Sequence, residues 1–296
     1  NQEVEEEMDK LTIPSIVEET DTNGRRSVTL VESIKDTFRV TFQRLYERGV
    51  RIIHKLIIED GIERIANGAF AGIDIEINTV YWPKTCNVIP QYCFSNSKIK
   101  SIVGIEGVAE IETAAFQGTS LKYFDWPARC KEIPDCCFQM SELEMIEGLD
   151  QVVNIGDLAF RATKLKCFNW PERCKVVPSH CFYECNALEQ IVGLEEVTDI
   201  RIAAFNETAL KTFCWPAGVS ATETCLFLSN CEHLEEIIFG GVGIKDVDLE
   251  CLSYLKDVKK IDLSKCGAVN LLNATDPKYA EVKGKLILPY YVTEIN

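Results

Sequence analysis

Apolar residues recur through the middle of the chain with a period of about 22. Phe94, Phe116, Phe138, Phe160 and Phe182 mark it, each preceded by Cys or Ala. Within a period the order is constant: Leu-x-x-Ile or Phe, then Trp or Gly, then Cys or Val, then Ile or Val, then the small-residue–Phe pair. LKYFDWPARCKEIPDCCF (121–138), LEMIEGLDQVVNIGDLAF (143–160), LKCFNWPERCKVVPSHCF (165–182) and LEQIVGLEEVTDIRIAAF (188–205) align on it. All four tryptophans, Trp82, Trp126, Trp170 and Trp215, precede Pro and fall 44, 44 and 45 apart, so odd and even units differ in a regular way. Weaker copies stand at 55–70, 255–263, 286–295 and 11–19.

A fixed period of this length is the mark of a stacked coil. The pattern predicts one strand per coil over Leu-x-x-Ile-x-Trp and a second short extended piece around Val-x-x-Ile. The stretch ending in Ala-Phe becomes a tight turn or a single helical turn, because 22 residues leave no room for a long helix. Coils stack at the inter-strand spacing of about 4.8 Å, so equivalent residues touch. Trp82, Gly104, Trp126, Gly148, Trp170, Gly193 and Trp215 then form one column, in which each Gly makes room for the neighbouring indoles. Lys122, Glu144, Lys166, Glu189, Lys211 and Glu235 form an exposed ladder of alternating charge. Ahead of the repeats, residues 29–49 read as a helix. Thr29 and Glu32 serve as a capping box, Ile34, Phe38, Phe42 and Leu45 or Tyr46 form one face, and Gly49 is the stop.

The L-x-x-I-x-(I/W)-P-x-x-V-x-x-I-x-x-x-A-F unit closely resembles the BspA-like class of leucine-rich repeats, over roughly residues 55–240. The expected fold is α/β, mainly β: a leucine-rich-repeat solenoid, a curved right-handed coil with a parallel sheet and short helical turns. Residues 1–50 are expected to be an acidic segment and capping helix, and 51–296 the solenoid of about ten coils, degenerate from 240 on. The resemblance implies a microbial cell-surface or adhesion protein that makes protein–protein contacts.

The remaining features narrow the function classes. A formal net charge of −15 argues against nucleic acid and anionic membrane surfaces, which call for clustered Lys and Arg. No apolar run approaches the ~20 residues of a membrane helix, and NQEVEEEMDK does not read as a signal peptide. The cysteines number fourteen. Cys86, Cys130 and Cys174 alternate with Val108, Val152 and Val197, and Cys93, Cys137, Cys181 and Cys225 alternate with Ala115, Ala159 and Ala204. Cys therefore stands in for a small apolar residue, as a buried free thiol does. Equivalent cysteines two coils apart are about 10 Å from each other, too far for a disulfide. Unpaired thiols favour a cytoplasmic setting, whereas the resemblance favours a secreted one.

Chemistry-bearing constellations are weak. His180-Cys181-x3-Cys185 and Cys225-x5-Cys231-x-His233 lack the spacing of a zinc site, and Cys136–Cys137 offers a vicinal redox pair. An enzyme would have to use His180 or Cys136, and no motif supports one, so the reading is non-enzymatic and without cofactor or metal. The informative positions are two exposed columns flanking the buried strand residue. Tyr81, Val103, Asp125, Glu147, Asn169 and Val192 lie in one, Tyr123 and Met145 in the other. These columns do not repeat. Structure alone would make them uniform, and recognition would make them diverse, so they are the candidate face for a protein partner.

Overall fold

The computed structural model describes residues 6–13, 16–20, 26–30, 33–34, 38–220, 226–241, 246–248, 258–266, 270–272 and 285–287. The chain divides into two compact units, Asn1–Gln151 and Val152–Asn296. Each is a stack of parallel short strands with little helix.

In the first unit the strands Glu6–Ile13, Val50–Ile58, Glu76–Tyr81 and Ile102–Val103 lie side by side, with Met8 opposite Ile53, Leu56 opposite Val80 and Tyr81 opposite Val103. Tyr123–Asp125 pairs in the same parallel sense with Met145–Glu147. A second series, Val88–Ile89 beside Glu110–Ile111, supplies the extended piece expected around Val-x-x-Ile. The second unit repeats both series. Cys167–Asn169 pairs with Gln190–Val192, and Val176–Val177 with Asp199–Ile200. Thr212–Trp215, Glu236–Phe239, Lys260–Asp262 and Lys285–Ile287 continue in parallel order, so the strand rhythm persists beyond residue 240.

The stretch before and after each core Phe takes the tight-turn form. Two residues per coil sit in the left-handed region: Tyr92 (φ 55°) and Asn96 (φ 55°) in one coil, Cys136 (φ 55°) and Met140 (φ 58°) in another, His180 (φ 55°) and Glu184 (φ 63°) in a third. In the first and third of these coils the two amides and that of the Phe between them donate to the following coil. Tyr92, Phe94 and Asn96 bond the carbonyls of Thr113, Ala115 and Gln117, and His180, Phe182 and Glu184 bond those of Ile202, Ala204 and Asn206. Each of these coil steps thus adds three hydrogen bonds outside the strands.

The turn directs Phe inward. In the first unit Phe70, Phe94, Phe116 and Phe138 stack nearly parallel, with centroids 5.2, 5.7 and 5.5 Å apart. In the second, Phe160, Phe182 and Phe205 do the same at 5.5 and 5.6 Å. The column then continues as Leu228, which follows the Phe227 carbonyl bonded by the Phe205 amide. The neighbouring column, expected to end in Cys225, is filled at this coil by Phe227 instead, and Cys225 itself lies outside the described residues.

The Trp–Gly alternation is present, but its cause differs from the one expected. Each indole N–H donates to a carbonyl four residues on: Trp82 to Cys86 (2.9 Å), Trp126 to Cys130 (2.9 Å), Trp170 to Cys174 (2.8 Å) and Trp215 to Val219 (3.0 Å). The glycine opposite is required by the backbone and not by the ring. A Cβ on Gly104, Gly148, Gly193 or Gly240 would lie 2.6–2.8 Å from the carbonyl oxygen of the paired Trp, and the first three have φ of 84°, 78° and 86°.

At the N-terminal side the helix is shorter than expected, Phe38–Glu47. Gly49 ends it as foreseen, at φ 95°. Thr29 is not a cap: it lies in the strand Arg26–Leu30, opposite Val17 of an antiparallel partner, and Ser33–Ile34 pairs with Arg64–Ile65. The β-branched run Val28–Thr29 favours a ladder over a helix start. Glu32 lies outside the described residues. Phe42 meets Phe70 edge-on at 6.2 Å, so the helix covers the open end of the first Phe stack.

Candidate functional site

The strand faces alternate as a half-buried sheet should. In Tyr123–Asp125 the middle residue, Phe124, is buried and its neighbours are exposed, and Cys167–Asn169 and Gln190–Val192 follow the same rule. The first unit carries most of the candidate residues. Tyr81 and Val103 are opposite each other, as are Tyr123 and Met145, and Asp125 and Glu147. Tyr81, Val103, Tyr123 and Met145 are large apolar or aromatic side chains left 37–51% exposed. Asn169 and Val192 belong to the second unit, where they oppose each other on its own exposed face.

A groove of about 630 Å³ opens on the first unit's face. Val103, Tyr123 and Asp125 line it from the strands, Trp126 from just after one, Glu106 from the loop after Val103, and Asp150 from the short 3-10 helix Leu149–Gln151. The Tyr123 hydroxyl donates to Glu147 Oε2 at 3.0 Å, and this bond, with the nearby carboxylates, raises its pKa above the ordinary 10.0. Glu106 and Asp150 lie outside the strand columns and had no sequence signal beyond their charge.

Beside this face two pairs of the expected charge ladder, Lys122–Glu144 and Lys211–Glu189, are present, and two more pairs adjoin them. Lys122 pairs with Glu144 at 2.8 Å and Lys100 with Glu76 in the first unit, and Lys211 with Glu189 at 3.1 Å and Lys259 with Glu235 in the second. Such exposed pairs contribute at most about 1 kcal/mol each and act mainly on register.

His180 and Cys136 occupy the same place in the repeat, the first left-handed turn position, and His180 meets Tyr183 edge-on at 5.7 Å. The cysteines after them, Cys137 and Cys181, are fully buried, and desolvation holds their thiols well above the ordinary 9.0. Burial likewise pushes Cys130 up to about 12 and Cys174 to about 11. A thiol so raised is a poor nucleophile and metal ligand. Among the described residues no three His, Cys, Asp or Glu form a metal-holding group, and no helix is long and apolar enough to cross a membrane.

A buried polar column escaped the sequence reading. Ser97, Thr119 and Ser141 in the first unit, and Thr163, Cys185, Thr208 and Cys231 in the second, lie three residues after the core Phe or its successor. Thr119 and Thr208 donate to the carbonyl of that Phe, both at 2.9 Å, and Cys185 bonds Phe160 O at 3.0 Å. The signal was present as small hydroxyl or thiol residues at one fixed offset. The left-handed positions were also marked, by Gly68, Gly72, Asn96 and Gly118.

The family described as BspA type leucine rich repeat region matches in six copies, over residues 63–189, 109–235 and 175–270. No curated protein matches the chain. Among solved structures, a leucine-rich repeat protein from Bacteroides ovatus is similar, with 20% identity, a TM-score of 0.65, and 97% of this chain and 76% of that one covered. A leucine rich cell surface protein from Faecalibacterium prausnitzii is 17% identical with a TM-score of 0.50, covering 93% of this chain and 90% of that one. The repeats, their parallel strands and these matches agree: the chain belongs to the BspA-type leucine-rich-repeat family.

Proposed function

We propose that the chain is a non-enzymatic interaction module that holds a protein partner through the exposed strand face of its first unit, in the setting of a microbial cell surface. The observation that carries this is the contrast between columns. The inward columns follow a regular pattern, whereas the two outward ones leave Tyr81, Val103, Tyr123 and Met145 in solvent, Val103 and Tyr123 of them at the groove. Aromatic residues and Met are enriched where proteins bind each other. The surface setting draws on the family and on the cell-surface relative from Faecalibacterium prausnitzii. The test is affinity capture with the intact chain and with a Tyr81→Asp, Tyr123→Asp, Met145→Asp variant whose circular dichroism matches. The variant is expected to lose the partner, and equal capture by both proteins would remove the reading.

A second reading, an intracellular scaffold, is favoured by the thiols. Cys86, Cys93, Cys130, Cys137, Cys174, Cys181, Cys185, Cys231 and Cys266 are buried and free, and Cys167 and Cys214 are exposed and free. Thiol titration of protein taken from its native source, before and after denaturation, separates the two. Fourteen titrated thiols favour the scaffold, and several disulfides favour the surface protein.

A further inference from the structure

We propose that the groove beside Tyr123 docks a cationic segment of the partner: an extended stretch in which Lys or Arg stands next to a large apolar side chain. The proposal rests on the interaction reading above and adds the partner's chemistry.

Charge is the first ground. Glu106, Asp125 and Asp150 line the groove, and no Lys, Arg or His does. None of the three is in an ion pair among the described residues. This departs from the neighbouring ladder, where Glu76 and Glu144 each have a lysine. Asp125 instead faces Glu147 directly across the strand pair, where the Tyr123 hydroxyl donates to Glu147. Like charges placed opposite each other weaken a sheet, so the free protein carries an unfavourable pair that an incoming cation relieves.

Shape is the second ground. Val103 and Tyr123 stand exposed at the groove, while Ile105, Phe124 and Trp126 are buried beneath it. An apolar side chain therefore finds a floor within reach of the carboxylates. The groove crosses three successive coils, Ser101–Glu106, Tyr123–Ala128 and Gly148–Gln151. That is about 10 Å, the reach of three extended residues. A second copy of this chain, at net charge −15, would bring like charge to like.

The test uses three labelled peptides and fluorescence anisotropy. One repeats Lys-Leu-Lys-Thr, the second replaces its lysines by Glu, and the third replaces its leucines by Thr. The Lys-Leu peptide is expected to bind most tightly, and its affinity to fall about tenfold in a Glu106→Gln, Asp125→Asn, Asp150→Asn variant and again on raising salt from about 0.05 to 0.5 M. The idea is overturned by equal binding of the acidic peptide, by a triple variant that binds like the parent, or by a Thr peptide as tight as the Leu one, which would make the groove a site for any polycation. A captured partner adds the decisive comparison. Loss from the Tyr81, Tyr123 and Met145 variant with full retention by the neutralised variant keeps the interaction face and removes the cationic occupant. Retention by both removes the face as well.

Discussion

At the scale of single residues, the fold depends on positions where a side chain is excluded. Gly148 is the sharpest case, because two costs coincide: φ is 78°, and an added Cβ would stand 2.6 Å from Trp126 O and 2.9 Å from Asp125 Oδ1. Gly49 bears only the first cost, since φ is 95° and nothing lies within 4 Å of its Cβ site. Left-handed backbone costs an L-residue about 1–2 kcal/mol. Gly49→Ala is therefore expected to lose about that much in urea unfolding. Gly148→Ala should lose clearly more, because the opposing atom is backbone and cannot turn aside. Equal losses would show that close approach to the tryptophan carbonyl does not govern the Trp–Gly alternation. The repeat also tolerates Glu184 at φ 63°, where its amide donates to Asn206 O of the following coil at 3.1 Å and offsets the local strain.

At the scale of the coil, the Phe stack is the element that every turn serves. Phe116 lies between Phe94 and Phe138 and is fully buried, so Phe116→Ala removes contacts on both sides and should cost about 3–5 kcal/mol. Phe116→Leu should cost clearly less than Phe116→Ala, because it leaves a smaller cavity and the chain itself places Leu228 in this role at the end of the second unit's column. If Leu and Ala cost the same in a urea or thermal melt, filled volume is not what the column supplies. The strands and their spacing were legible in the sequence because each inward column is chemically uniform, down to the copies at Lys260–Asp262 and Lys285–Ile287. The start of the helix was not. Thr29 fits a cap by type, but residues 26–34 had partners outside the local window, Val17 and Ile65, that a local pattern does not reveal.

At the scale of the whole molecule, the candidate face was legible only where it coincides with strand columns. Tyr81, Val103, Tyr123, Asp125 and Met145 were, whereas Glu106 reaches the groove from a loop and Asp150 from the 3-10 helix Leu149–Gln151, outside any repeating column. The thiols were legible as small core residues, and their burial has a consequence for the entire fold. Cys93, Cys137 and Cys181 are fully buried, with desolvation as the first cause of pKa values well above 9.0. A thiol whose folded pKa is raised stays protonated in the native state while the unfolded chain ionises near 9. Its contribution is thus complete below pH 9 and declines as pH rises toward the folded value. Each such group therefore takes stability away once the pH passes the unfolded value, and the three losses fall in the same range of pH. The urea midpoint should be nearly level from pH 7 to 8.5 and then fall steeply. Alternate coils already hold Ala115, Ala159 and Ala204 in the same column, so a Cys93→Ala, Cys137→Ala, Cys181→Ala variant keeps the packing geometry at some cost in filled volume. That variant should start lower at pH 7.5 and lose distinctly less between pH 9 and 10. A slope unchanged from the parent would mean that other ionisations, and not the buried thiols, set the alkaline limit of the fold.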